Sequence, residues 1–109
     1  MKINILGSEW NLLYQTEEEE PRLKDKDGFC DVSIRTLVIE KNMQGELGDM
    51  GCYARKVLRH EIVHAFLFES GLWECSHSVD AWAQDEEMTD WIANQGPKIY
   101  KAWQDAGAL

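Results

Sequence analysis

The stretch V-L-R-H-E-I-V-H-A-F-L-F-E-S-G, residues 57–71, constrains the chain more than any other. It holds His60, Glu61 and His64 in the order H-E-x-x-H, among Val57, Leu58, Ile62, Val63, Ala65, Phe66, Leu67 and Phe68. Residues four apart on an α-helix lie above one another, so two imidazoles at this spacing can converge on one ion at roughly 2.0–2.1 Å from each nitrogen. Glu61 is one helical step from His60 and belongs beside the ion, where its carboxylate can take a proton from water and hand it to a leaving amine. Burying His, Glu and His unpaired in so apolar a segment would be costly, and a metal satisfies all three. The segment therefore predicts a largely buried helix, capped by Asp49, stopped at Gly71, and wettest around Arg55, Lys56 and Arg59.

A catalytic Zn2+ keeps three protein ligands and an open position, so His60 and His64 need a third partner. The run D-E-E-M-T-D at residues 85–90 supplies one. Glu86 and Asp90 are four apart on one helical stripe. With Glu86 at the ion, Asp90 sits a turn further on and can accept the outward N–H of a ligating histidine. Glu87 competes with Glu86 for the third position. His77 competes as well: with Cys75 it would complete a closed structural site, or it would act as a hydrogen-bond donor from a loop near the metal.

An H-E-x-x-H helix followed by a second helix with E-x-x-x-D resembles the gluzincin, thermolysin-like branch of zinc metallopeptidases. Asp85 stands where the gluzincin family usually has Asn, and over most of its length the chain is similar to the minimal zincin-like proteins of phages and bacteria. The resemblance implies His60, His64 and Glu86 as zinc ligands, Glu61 as general base and Asp90 as support for His60. It also implies an extended peptide along an exposed strand edge, for which residues 32–40 are the candidate. The longer metzincin signature is absent, since Gly and a third His are missing at the required offsets after His64.

The remaining pattern predicts one α+β domain over residues 1–109. Alternation of Ile3 and Ile5 with Lys2 and Asn4 marks a strand that breaks at Gly7. Residues 9–16, with Trp10, Leu12 and Tyr14, form a second able to pair with it. Residues 17–28 are a polar loop or short helix. Their D-x-D-G start lacks the later oxygen ligands of a calcium-binding EF-hand. The β-branched run at residues 30–40 reads as one strand, and residues 41–48 as a turn-rich connection. Residues 72–80 read as a loop, residues 81–94 as a helix stopped by Gln95, Gly96 and Pro97, and residues 98–106 as a last amphipathic helix. The tryptophans belong to the core and the cleft walls.

A net charge of −9 argues against nucleic acid or an anionic membrane surface as partner, both of which need a basic patch. No apolar run spans a membrane, and the first seven residues are too short for a secretory signal. Cys30, Cys52 and Cys75 cannot all pair within the chain and form no C-x-x-C, so the protein is expected in the cytoplasm with reduced thiols. The expected activity is peptide-bond hydrolysis. The alternative is a silent or latent zinc-binding module that regulates a protein partner.

Overall fold

The computed structural model describes residues 1–76, 81–107 and 109. Strands β1 (Lys2–Ile5) and β2 (Ser8–Gln15) form an antiparallel hairpin in which Ile5 pairs with Ser8. Both residues of the two-residue turn, Leu6 and Gly7, have positive φ, as the twist of a tight hairpin requires. Asn4 Oδ1 accepts the Gly7 N–H at 3.0 Å and fixes it.

After β2 the chain crosses a polar segment with one 3-10 turn, Pro21–Leu23, and returns as β3 (Gly28–Asp31) and β4 (Thr36–Glu40). The sheet order is β1-β2-β4-β3, with β4 parallel to β2 and antiparallel to β3. The single strand expected over residues 30–40 is thus two strands, broken by a 3-10 turn at Val32–Ile34. Asp31 makes the break: its side chain accepts the Ser33 N–H at 3.1 Å, and Arg35 closes the turn in the left-handed region at φ 48. Central β4 has no free edge. The edge expected over residues 32–40 belongs instead to β3.

Alternation places Ile3, Ile5, Trp10, Leu12, Cys30, Leu37 and Ile39 on one face of the sheet. Against that face packs α1 (Met50–Glu69) through Val57, Leu58, Ile62, Ala65 and Phe68, and Trp10, Leu37 and Ile39 are all but inaccessible. Each such side chain contributes about 1.5–3 kcal/mol by leaving water. Asp49 caps α1 by accepting the Cys52 N–H at 3.1 Å, and Gly71, at φ 87, lets the chain leave it. The helix is less enclosed than its composition suggests, because Phe66 is exposed. Glu61 and His64 instead take buried positions on it.

A short helix α2 (Leu72–Cys75) occupies part of the expected loop, and a 3-10 turn at Trp82–Gln84 leads to α3 (Glu86–Asp105), which packs on α1. Here the two helices expected over 81–94 and 98–106 are one, running through Gly96 and Pro97. Proline removes the N–H that would bond the carbonyl four residues back. That carbonyl belongs to Ala93, and Arg59 of α1 donates to it from Nε at 2.7 Å. The breaker is tolerated because a neighbouring helix replaces the missing donor. Among the described residues no helix is long and apolar enough to cross a membrane, and the three cysteines are free.

Candidate metal centre

Two helices meet at the site, each presenting side chains one turn apart. On α1, His60 and His64 turn their Nε2 atoms toward one another at 3.1 Å. On α3, Glu86 occupies the first helical position, after Asp85 caps the helix by accepting the Met88 N–H at 2.7 Å. Asp85, which stands where the gluzincin pattern usually has Asn, therefore has a structural task. The Glu86 carboxylate straddles the histidine pair, with Oε2 at 3.1 Å from His60 Nε2 and Oε1 at 3.0 Å from His64 Nε2. One turn on, Asp90 Oδ1 lies 3.1 Å from His60 Nδ1, and Lys56 Nζ stands 3.2 Å from the same oxygen. Burial alone would raise the Asp90 carboxyl, but hydrogen bonds from Lys56 and His60 outweigh it and hold the group below the usual carboxylate range.

The donor set fits a divalent cation. Asp90 facing His60 Nδ1 favours the proton there, which leaves the His60 Nε2 lone pair directed at His64 and Glu86. Burial, foremost, keeps His64 neutral by pushing its pKa down. Its Nδ1 is buried without a hydrogen-bond partner among the described residues. Two imidazole nitrogens and a carboxylate thus converge with few protons to share. Tetrahedral ligands at roughly 2.0–2.1 Å from zinc are about 3.3–3.4 Å apart, close to the spacing seen here.

Glu61 is 5 % exposed and has a ligand-capable oxygen within 4.8 Å of the histidine nitrogens. Burial, reinforced by Glu86 and opposed by His60 and Lys26, pushes its carboxyl up to about 7. The centre opens into a cleft of about 530 Å³. One wall is the segment 26–30, which runs into the edge strand β3, and another is Trp73. The Trp73 ring stands edge-on to His64 at 5.7 Å and is linked through Phe68 to the core residue Trp10. Tyr53 lines the cleft as well and donates to Asp27. That bond is the leading cause that lifts its hydroxyl to about 12. Desolvation does the same for the Cys30 thiol, also to about 12, so Cys30 is a neutral wall residue.

The structure therefore brings together His60, Glu61, His64, Glu86 and Asp90. Glu87 makes no hydrogen bond or ion pair with them among the described residues; it borders a second groove, on the flank of α3, that His60, Glu86, Asp90, Trp91 and Asn94 also line. Cys75 is exposed, and His77 lies outside the described residues. Of the tryptophans, Trp10 is core and Trp73 cleft wall, whereas Trp82, Trp91 and Trp103 are exposed, contrary to expectation. Sequence reasoning passed over Tyr53 and Lys26 as site residues. The nearest signal was for Lys56, which precedes His60 by one helical turn. Compared with models of known protein families, with curated proteins and with solved structures, the chain matches none.

Proposed function

We propose that this protein is a zinc-dependent metallopeptidase of gluzincin type with a minimal zincin-like fold. The observation that carries the reading is the convergence of His60 Nε2, His64 Nε2 and the Glu86 carboxylate from two helices, with buried Glu61 beside them at the floor of an open cleft. A zinc ion held by these three side chains would supply Lewis-acid polarisation of a peptide carbonyl and a water made more acidic.

The chain's own residues supply the rest. Glu61, with a proton affinity near neutrality, is suited both to take a proton from water and to return it to the departing nitrogen. Asp90, steadied by Lys56, fixes the tautomer and rotation of His60. Trp73 covers one side of His64 and excludes water there. An extended peptide would lie along the free edge of β3, which borders the cleft. Free thiols suit the cytoplasm as its compartment.

The test is zinc content and peptide cleavage measured together. Wild type should bind one zinc, and Glu86→Ala should lose it. Glu61→Gln should keep the metal while cleavage falls by about 10²–10⁴-fold. Equal cleavage by wild type and Glu61→Gln would refute the role of Glu61. Zinc binding with no cleavage of any peptide would favour a silent module that acts through a protein partner.

A further inference from the structure

The cleft does not end at the metal centre. A groove lined by Arg22, Lys24, Asp31, Val32 and Ser33 continues from it along β3 and shares Lys26, Phe29 and Cys30 with it. Its charges are not equivalent. Arg22 is held by Glu20 at 3.0 Å and Asp31 at 2.7 Å, and its guanidinium lies over the Phe29 ring. Asp31 is occupied by Arg22 and Ser33, and Asp27 by the Tyr53 hydroxyl. Lys24 and Lys26 form no ion pair among the described residues, in a chain whose net charge is −9.

Their placement is firm. The turn that bears them is pinned by Leu23, 2 % exposed, and closed by Lys24 N–H to Pro21 O at 3.1 Å and Lys26 N–H to Leu23 O at 2.9 Å. Asp25, between the two, takes a left-handed backbone and lines neither cleft. Lys24 and Lys26 thus line one groove with the apolar side chains of Phe29, Cys30 and Val32, next to the cleft that holds Glu61.

We propose that this groove is a subsite for an acidic side chain, a carboxylate carried by the bound peptide and held between Lys24 and Lys26. The protein's overall field repels acidic peptides, but at physiological salt that field decays over about 8 Å, so a contact pair decides binding. The subsite rests on the peptidase reading for its use in catalysis, and the experiment separates the two.

Peptide libraries carrying Glu or Gln fixed at one position at a time are offered to the zinc-loaded protein for cleavage. The same libraries are offered to immobilised, zinc-loaded Glu61→Gln protein for retention, read by mass spectrometry. At one position Glu should be preferred over Gln by about tenfold in both readouts, as two partly exposed ion pairs would give. Lys24→Gln with Lys26→Gln should abolish that preference, and Lys24→Glu with Lys26→Glu should reverse it. Equal handling of Glu and Gln at every position, or a preference that survives both double variants, would overturn the subsite. If no peptide is cleaved the peptidase reading falls, and retention still decides the subsite.

Discussion

Glu69, the last residue of α1, joins three parts of the chain. Its carboxylate accepts from Trp10 Nε1 at 2.8 Å, from Ser8 Oγ at 3.1 Å and from Arg35 Nε. The Arg35 bond, first among these, holds its pKa below the usual carboxylate range against the opposing effect of burial. A carboxyl whose folded pKa is depressed stabilises the fold fully above its unfolded pKa, about 4.3, and loses that contribution as pH falls through the lower folded value. Urea unfolding followed from pH 7 down to pH 3 should therefore show a shallower acid limb for Glu69→Gln than for wild type; identical slopes would rule the clasp out. Glu69→Ala should in addition cost about 1–3 kcal/mol at neutral pH, because the buried Trp10 N–H loses its acceptor. No local pattern announces this residue, since its partners Ser8 and Trp10 lie 61 and 59 positions away. The histidines of the candidate metal centre were legible for the opposite reason: helical spacing alone sets their separation. The helical stripe that carries Glu86 and Asp90 was legible by the same rule; coordinates were needed to see Glu86 rather than Glu87 facing the histidines, and the rival His77 lies outside the described residues.

Among the elements, α3 shows how a strong local signal is overridden. Gly96 and Pro97 read as a stop, yet the helix continues to Asp105 because Arg59 supplies the donor that Pro97 lacks. The exchange makes a sharp expectation for a double-mutant cycle. Arg59→Met should cost about 1–3 kcal/mol by leaving the carbonyl of buried Ala93 without its partner. In a Pro97→Ala background the backbone N–H returns, and the same Arg59→Met change should cost markedly less. Equal costs in the two backgrounds, measured by denaturant midpoint, would show that Arg59 acts otherwise. The broken strand teaches a related lesson. Its β-branched residues favour extension at every position, and the interruption comes from one side-chain bond, Asp31 to the Ser33 N–H, with Arg35 tied to Glu69 beyond it. An Asp two residues before a Ser is a turn signal, and the surrounding Val and Ile masked it. The break has a functional consequence, since it turns β3 into the edge that faces the cleft.

For the molecule as a whole, the candidate metal centre joins a well-packed sheet and helix to a less secured one. α3 packs on α1 and on the 3-10 turn before it, with Thr89 and Ala93 buried, whereas Tyr100 and Trp103 in its second half are exposed. At the junction Glu61, Glu86 and Asp90 gather around two histidines, one of which has a buried nitrogen without a partner among the described residues. In an acidic chain this concentration of carboxylates repels itself, and a divalent cation would turn the repulsion into attraction between the helices. Binding confined to the folded state stabilises by mass action, ~2.7 kcal/mol at free zinc 100 times Kd. Chelation should then lower Tm on the order of 10 °C. The loss should also be local. Hydrogen exchange should quicken over the first half of α3 and around His60 and His64, while the amides of β2 and β4, paired on both sides, keep their protection. An unchanged Tm on chelation of a zinc-loaded sample would separate the centre from the stability of the fold, and a uniform rise in exchange across the sheet would make the metal a condition for folding the whole chain.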